Sequence, residues 1–380
     1  MTSKQPSMAG VALLSLLALP ACDGEVESPS LKTGPGLYTI EGESSCAECE
    51  IVLEDIAVLG APEDSTSIRE DAAGRGCMVG QLSTGEFVVS GSVGGGQLVV
   101  YAGSGPSRRS IGRRGRGPGE FGSVLRVWVG PGDTLFVADE RNARIQVLTA
   151  EGEFVRSFAM PAPNRPFTRL RTGNLLFHTM PSSTDDATFQ LVDRSGEPLA
   201  DLGRPALDEV EFEGWVVSPA PSALFWAASM WEYELYEWES ADSIKRTVRR
   251  VADWFPGGVW FSEELYERDR PGSYLIHVWE DESGLLWVYS GVPDADWAPN
   301  EARVPDPDWY EQNFDVVIEV VDLGRERVVA STTVDYMLGA VCGRPLMYTV
   351  EWSDRGDTRT RVVRPRLHGY EEHQAANRAH

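Results

Sequence analysis

Apolar and polar positions alternate along this chain in short bursts. Between Gly115 and Phe158 it reads GRGPGEFGSVLRVWVGPGDTLFVADERNARIQVLTAEGEFVRSF. Leu125–Val129, Leu135–Ala138 and Ile145–Leu148 are separated by Pro131-Gly132-Asp133 and by Asp139-Glu140-Arg141-Asn142, and Phe154–Phe158 follows the Glu151-Gly152 turn. Runs this short, rich in Val, Leu and Phe and bounded by turn residues, predict antiparallel strands rather than helices. Four strands of one meander in about forty residues match the size of a propeller blade.

The same reading extends over most of the chain. A first blade takes Cys77–Leu82, Glu86–Ser90, Gln97–Tyr101 and Arg108–Ile111, and the stretch above is the second. The third takes Thr168–Arg171, Asn174–His178, Phe189–Asp193 and Leu199–Leu202; the fourth takes Gly214–Ser218, Leu224–Ala227, Tyr233–Glu237 and Ile244–Val251. A fifth takes Tyr274–Glu280, Leu285–Tyr289, Phe314–Asp322 and Val328–Val334. The sixth, Leu338–Val341, Leu346–Glu351 and Arg359–Arg364, lacks an outer strand. A spare apolar run lies at Ile51–Leu59. The expectation is an all-β, six-bladed propeller spanning residues 46–370, its ring closed by that N-terminal strand, so that no sheet edge is left open. Two smaller β domains, or a pair of sandwiches, are the alternative.

Within the second blade, the Gly119-Glu120-Phe121 start, the Leu-Phe-Val-Ala-Asp strand and Asp139-x-x-Asn142-x-Arg144-Ile145-Gln146-Val147 resemble the NHL repeat of bacterial six-bladed β-propellers. The resemblance implies an architecture more firmly than an activity, because one fold hosts many functions.

Ahead of the blades, Lys4, the apolar core Val11–Leu19 and Leu19-Pro20-Ala21-Cys22 form a targeting segment over residues 1–21. Small residues ending in a cysteine resemble a bacterial lipobox, which implies a lipid-modified Cys22 and a membrane partner through that lipid. The expected location is the cell envelope, on the periplasmic side or the cell surface. Residues 22–45, with Pro29, Gly34, Pro35 and Gly36, read as a tether, and residues 371–380 as a frayed tail.

With Cys22 lipidated, Cys46, Cys49, Cys77 and Cys342 remain. Cys46-Ala47-Glu48-Cys49 is compatible with half a zinc site, a redox dithiol or a small disulfide. No second CxxC or histidine pair completes a zinc site, and a strand rather than a helix follows. An even cysteine count in an exported protein suggests two disulfides in one of three connectivities, with Cys46–Cys49 and Cys77–Cys342 preferred.

Composition changes the picture little. The 380 residues are 42% hydrophobic and 24% charged, enough for a sizeable core. The formal net charge of -24 argues against a nucleic-acid partner. Gly117–Gly122 formally matches GxGxxG, but a strand rather than a helix follows it, so no dinucleotide is expected. Arg108, Arg109, Arg113, Arg114 and Arg116 suit an anion, or else pair with the chain's own acids. Trp226, Trp231, Tyr233, Tyr236 and Trp238 crowd the fourth blade; they suit stacking on sugars or partner side chains, or else fill the space between blades, which the alternation along Tyr233–Trp238 favours.

The five histidines are scattered and no compact catalytic motif is present. Glu280, Asp281 and Asp139 are the acids to examine if the channel holds a metal. No catalytic residue, metal or cofactor is assigned. Two insertions, Ala252–Gly272 and Gly291–Asn313, exceed hairpin length and carry Trp254, Trp260, Trp297, Trp309 and Tyr310, the expected binding residues. The expected role is binding a protein or other ligand; a metal-dependent lactonase- or lyase-type enzyme, or a carbohydrate-binding module, is the alternative.

Overall fold

The computed structural model describes residues 32–33, 36–60, 78–90, 96–161, 167–179, 187–203, 214–255, 272–294, 297, 313–352 and 358–371. They form an all-β, propeller-like arrangement of antiparallel meanders. Three sheets are four-stranded: residues 124–159, 167–203 and 274–334. A fourth carries Trp215–Pro219, Phe225–Ser229, Glu234–Ser240 and Ser243–Arg250, with two further strands on its edge.

The sequence counts six blades, and the structure separates four. The remaining meanders, residues 79–111 and 339–368, share one eight-stranded sheet, because Val341 and Cys342 pair parallel with Val79 and Gly80. Gly80 also lets Val129 of the next meander approach closely: a Cβ there would lie 2.7 Å from Val129 Cγ2.

Each meander buries residues of its inner strands against the next. Leu98 and Val100 meet Val127 and Val137. Trp128 and Phe136 meet Phe167 and Phe177. Phe189 meets Phe225 and Trp238, and Trp226 meets Leu275 and Leu286. Tyr289 and Ile318 pack with Leu338, Met347 and Val363, and Val79 and Val99 with Tyr348 and Val362. Trp226, Trp231, Tyr233, Tyr236 and Trp238 all sit in this buried set, in line with the space-filling reading.

The stretch read as a tether contributes strands. Lys32–Thr33 and Leu37–Ile40 pair parallel with Ser243–Arg250, the outer strand of the 215–250 blade. The chain then crosses the next blade, where Ser45 and Cys46 donate backbone N–H groups to Val328 and Val329 oxygens at 2.9 and 3.2 Å. Glu50–Leu59 pairs antiparallel with Thr358–His368, as the outer strand of the 339–368 meander. Finally Gly60 N donates to Gly105 O at 2.9 Å and Gly105 N to Val58 O at 2.8 Å, which ties the segment to the 79–111 meander. This belt buries Ile40, Cys46, Ile51, Ala57 and Leu59 in three successive inter-blade cores.

The belt allows a discriminating substitution pair. Ile40 is 1% exposed and Leu37 is 55% exposed on the same four-residue strand. Ile40→Ala is expected to cost about 2–5 kcal/mol in urea unfolding, and Leu37→Ala to cost nearly nothing. Equal small losses would mean that the strand is not docked.

Candidate functional site

The buried polar groups gather at one linker and in one seam between blades. At the linker, Asp139 is fully buried and works as a hub. Its Oδ1 accepts the N–H groups of Gly122 and Ser123 at 2.8 and 3.3 Å; its Oδ2 accepts Asn142 Nδ2 and Arg144 Nε at 2.7 and 3.0 Å. Arg144 passes the linkage on to the Gly117 and Glu120 carbonyls at 3.0 and 2.8 Å. Gln146 Nε2 donates to Glu120 O at 2.6 Å, while its Oε1 accepts Gly119 N–H at 3.0 Å. The residues that resemble the NHL repeat therefore hold the linker between two meanders. The formal GxGxxG lies inside that held loop, with no helix after it.

Two further clusters lock the 215–250 blade to the 274–334 blade. In the first, Glu319 receives Arg250 Nη2 at 2.9 Å and Arg250 Nε at 3.1 Å, with the Tyr233 hydroxyl at 2.8 Å. All three are buried. Burial and the Glu319 carboxylate push the Tyr233 hydroxyl well up. In the second, Glu237 receives Lys245 Nζ at 2.7 Å and the Arg246 guanidinium. Ser222 Oγ stands 2.9 Å from both Glu237 Oε1 and Glu280 Oε2, and Trp226 Nε1 donates to Glu280 at 2.9 Å. Burial alone would raise the Glu237 carboxyl, but hydrogen bonds from Lys245 and Arg246 outweigh it and hold it below its ordinary value. The Ser222 hydroxyl has one proton to share between two buried carboxyl groups.

The acids singled out for examination, Glu280, Asp281 and Asp139, are engaged separately. Asp139 is the linker hub and Glu280 the inter-blade acceptor. Asp281 caps its own turn through Ser283 and takes Trp287 Nε1 at 3.0 Å. Among the described residues, no three His, Cys, Asp or Glu side chains gather as a metal site. His277 stacks near Tyr289, 5.9 Å between rings, and burial pushes it down to about 4. It is a neutral core residue at ordinary pH.

Of the expected binding residues, Trp254 packs on Tyr233 and Phe255, with ring centroids 6.0 and 5.9 Å away. Trp297 is half-buried, its N–H on Asp294 O at 3.2 Å. Trp260, Trp309 and Tyr310 lie outside the described residues, as do Cys22 and Cys77. Cys46 and Cys49 form the expected disulfide. Cys342 is buried beside Trp128. In the arginine cluster, Arg108 pairs with Glu86 at 3.0 Å and Arg113 with Glu120 at 2.7 Å, while Arg109 donates to Ala150 O at 2.8 Å.

Sequence reading missed both inter-blade locks and a set of arginines, Arg169, Arg171 and Arg194, near the Leu170–Asn174 turn. Each lock joins residues far apart in the chain, and no local spacing signals it.

No family model and no curated protein matches this chain. Among solved structures, it is similar to a member of the DUF4221 family from Bacteroides vulgatus, with TM-score 0.63 and 13% identity over 84% of this chain and 98% of that one. It is also similar to an exported-protein candidate from Bacteroides fragilis, with TM-score 0.54 and 12% identity over 87% of this chain and 100% of that one. Virginiamycin B lyase from Staphylococcus aureus aligns at TM-score 0.45 and 9% identity, over 83% of this chain and 99% of that one. The first two show a shared fold; the third is too distant to carry an argument.

The buried ion pair gives a direct test of the lock. Glu319→Gln leaves Arg250 buried without its charge partner and is expected to cost about 3–5 kcal/mol in urea unfolding. Replacing both members, as Glu319→Leu with Arg250→Met, should cost less than the single change. If the single change is neutral, the lock does not hold the blades.

Proposed function

We propose that the chain is an exported, lipid-anchored propeller of six NHL-like blades that binds a protein or other ligand at the cell envelope, without catalysis. The count of six takes the eight-stranded sheet as two blades. The observation that carries it is the succession of shared cores. Each meander packs on the next, and residues 339–368 pack on residues 79–111 through Val79, Val99, Tyr348 and Val362. Glu50–Leu59 then serves as the outer strand of the last blade, the arrangement by which such a ring closes without an open edge.

Export and anchoring follow from Lys4, Val11–Leu19 and the lipobox-like Leu19–Cys22. A protein of similar fold that is an exported-protein candidate is in line with this reading. Attachment is assigned to acyl chains on Cys22, on the strength of those lipobox-like residues.

Binding is favoured over catalysis because the buried acids of the described residues are engaged in holding blades and linkers together. The tryptophan-bearing connections are the proposed contact region, through Trp297 and Trp309 above all. The alternative is a metal-dependent lactonase- or lyase-type enzyme or a carbohydrate-binding module. The enzyme would need several polar ligands converging in the channel.

Two measurements on the full-length protein test this. Wild-type protein is expected in the detergent phase and Cys22→Ala in the aqueous phase; identical partitioning removes the anchor. Elemental analysis is expected to find well under one divalent metal ion per chain. A stoichiometric ion, with loss of a measured activity on chelation, would put the enzyme first.

A further inference from the structure

Several arginines of this acidic chain pair with carboxylates, among them Arg126 with Glu140 and Arg250 with Glu319. Near the Leu170–Asn174 turn, Arg169 and Arg194 have no carboxylate within ion-pair distance among the described residues, and Arg171 has one exposed partner. Arg169 ends the first strand of the 167–203 blade, its guanidinium carbon 5.8 Å from the centroid of the Phe136 ring of the neighbouring blade. Its Nε is buried, with no hydrogen-bond partner. Arg194 lies over the turn that follows, donating from Nη2 to Thr172 O at 2.9 Å. That position depends on Gly173, where a Cβ would lie 2.5 Å from Arg194 Nε. Arg171, on the same turn, reaches Glu282 Oε1 at 3.3 Å, and the two side chains are 55% and 84% exposed.

The electrostatics are unfavourable as they stand. Burial pushes the Arg169 guanidinium down, and the like charge of Arg194 acts in the same direction. An arginine does not discharge by losing its proton, so both positive charges persist. The carboxylates at hand do not resolve this. Asp193 Oδ1 is engaged by the Ser195 N–H and hydroxyl and by the Glu197 N–H. Glu282 comes from a turn of the 274–334 blade, which is not the adjacent one, and meets only the outermost arginine.

We propose that Arg169, Arg171 and Arg194 form a binding site for a ligand carrying an oxyanion, a carboxylate or phosphate group, with Glu282 as an intramolecular placeholder on Arg171. Guanidinium forks match such anions in shape as well as charge. The bound anion supplies the counter-charge that Arg169 and Arg194 lack. The apolar Phe136 ring beside Arg169 keeps the guanidinium dehydrated, which strengthens its pull on an anion. This inference rests on the reading of the chain as a ligand-binding propeller and names the chemistry of a ligand.

The test is calorimetric titration of the full chain with citrate and with pyrophosphate, at low ionic strength in an anion-poor buffer. Saturable binding of at least one is expected. Preference for citrate assigns a carboxylate ligand, and preference for pyrophosphate a phosphate ligand. Arg169→Gln and Arg194→Gln should each weaken binding about tenfold or more, the loss expected for a charge-assisted hydrogen bond. Glu282→Gln should tighten it by removing the placeholder. Arg194 is exposed, so Arg194→Gln keeps the test valid if the Arg169 variant folds poorly. No saturable binding, or binding unchanged in the arginine variants, overturns the site. Such a result leaves the anchoring and metal measurements untouched, so failure of this site is distinguishable from failure of the broader reading.

Discussion

The structure depends on the segment from Lys32 to Gly60 lying along the outside of the blades. A meander sheet buries its faces only against its neighbours, and its outer strand presents a row of unpaired backbone groups. The belt answers both needs at once. It pairs with Ser243–Arg250 in parallel and with Thr358–His368 in antiparallel register, and it drops Ile40, Cys46, Ile51, Ala57 and Leu59 into the seams between meanders. Its disulfide sits where the chain passes from one outer edge to the next. A loop with a sequence separation of 3 constrains the unfolded chain little, so Cys46–Cys49 acts mainly by fixing the local turn.

Along the seams, apolar packing is non-directional, and polar locks add register. The Tyr233–Arg250–Glu319 cluster and the Ser222–Glu237–Glu280 cluster place charges where burial would be costly without partners, and supply those partners from two blades at once. Asp139 performs the corresponding task for a linker. These groups make the relative placement of neighbouring meanders specific. They also explain why an acidic chain tolerates carboxylates in its interior.

How much of this was legible in the sequence depended on the range of the signal. The strands of the meanders were legible, because each carries its own alternation and is bounded by turn residues within a few positions. Residues 124–159 fall almost where the pattern put them, and the spare run Ile51–Leu59 reappears as Glu50–Leu59 paired to Thr358–His368. Leu37–Ile40 was not legible, since a four-residue strand with one buried side chain leaves no periodicity in a stretch that also holds Pro35 and Gly36. The locks were equally hidden: Tyr233 and Glu319 are 86 positions apart, Trp226 and Glu280 54 apart. Sheet fusion at Val79–Gly80 joins strands from opposite ends of the chain, which no local pattern encodes. Arg169 and Arg194 stood out only once a fold placed them without acids.

The central claim is that the belt is an integral part of the packed meanders. Native-state hydrogen exchange on the full-length protein tests it most directly. The account predicts that the hydrogen-bonded amides of Leu37–Ile40 and Glu50–Leu59 exchange with the same opening free energy as those of Leu285–Pro293, through unfolding of the domain as a whole. Exchange of the belt amides by local fraying, while the blade amides stay fully protected, would contradict it.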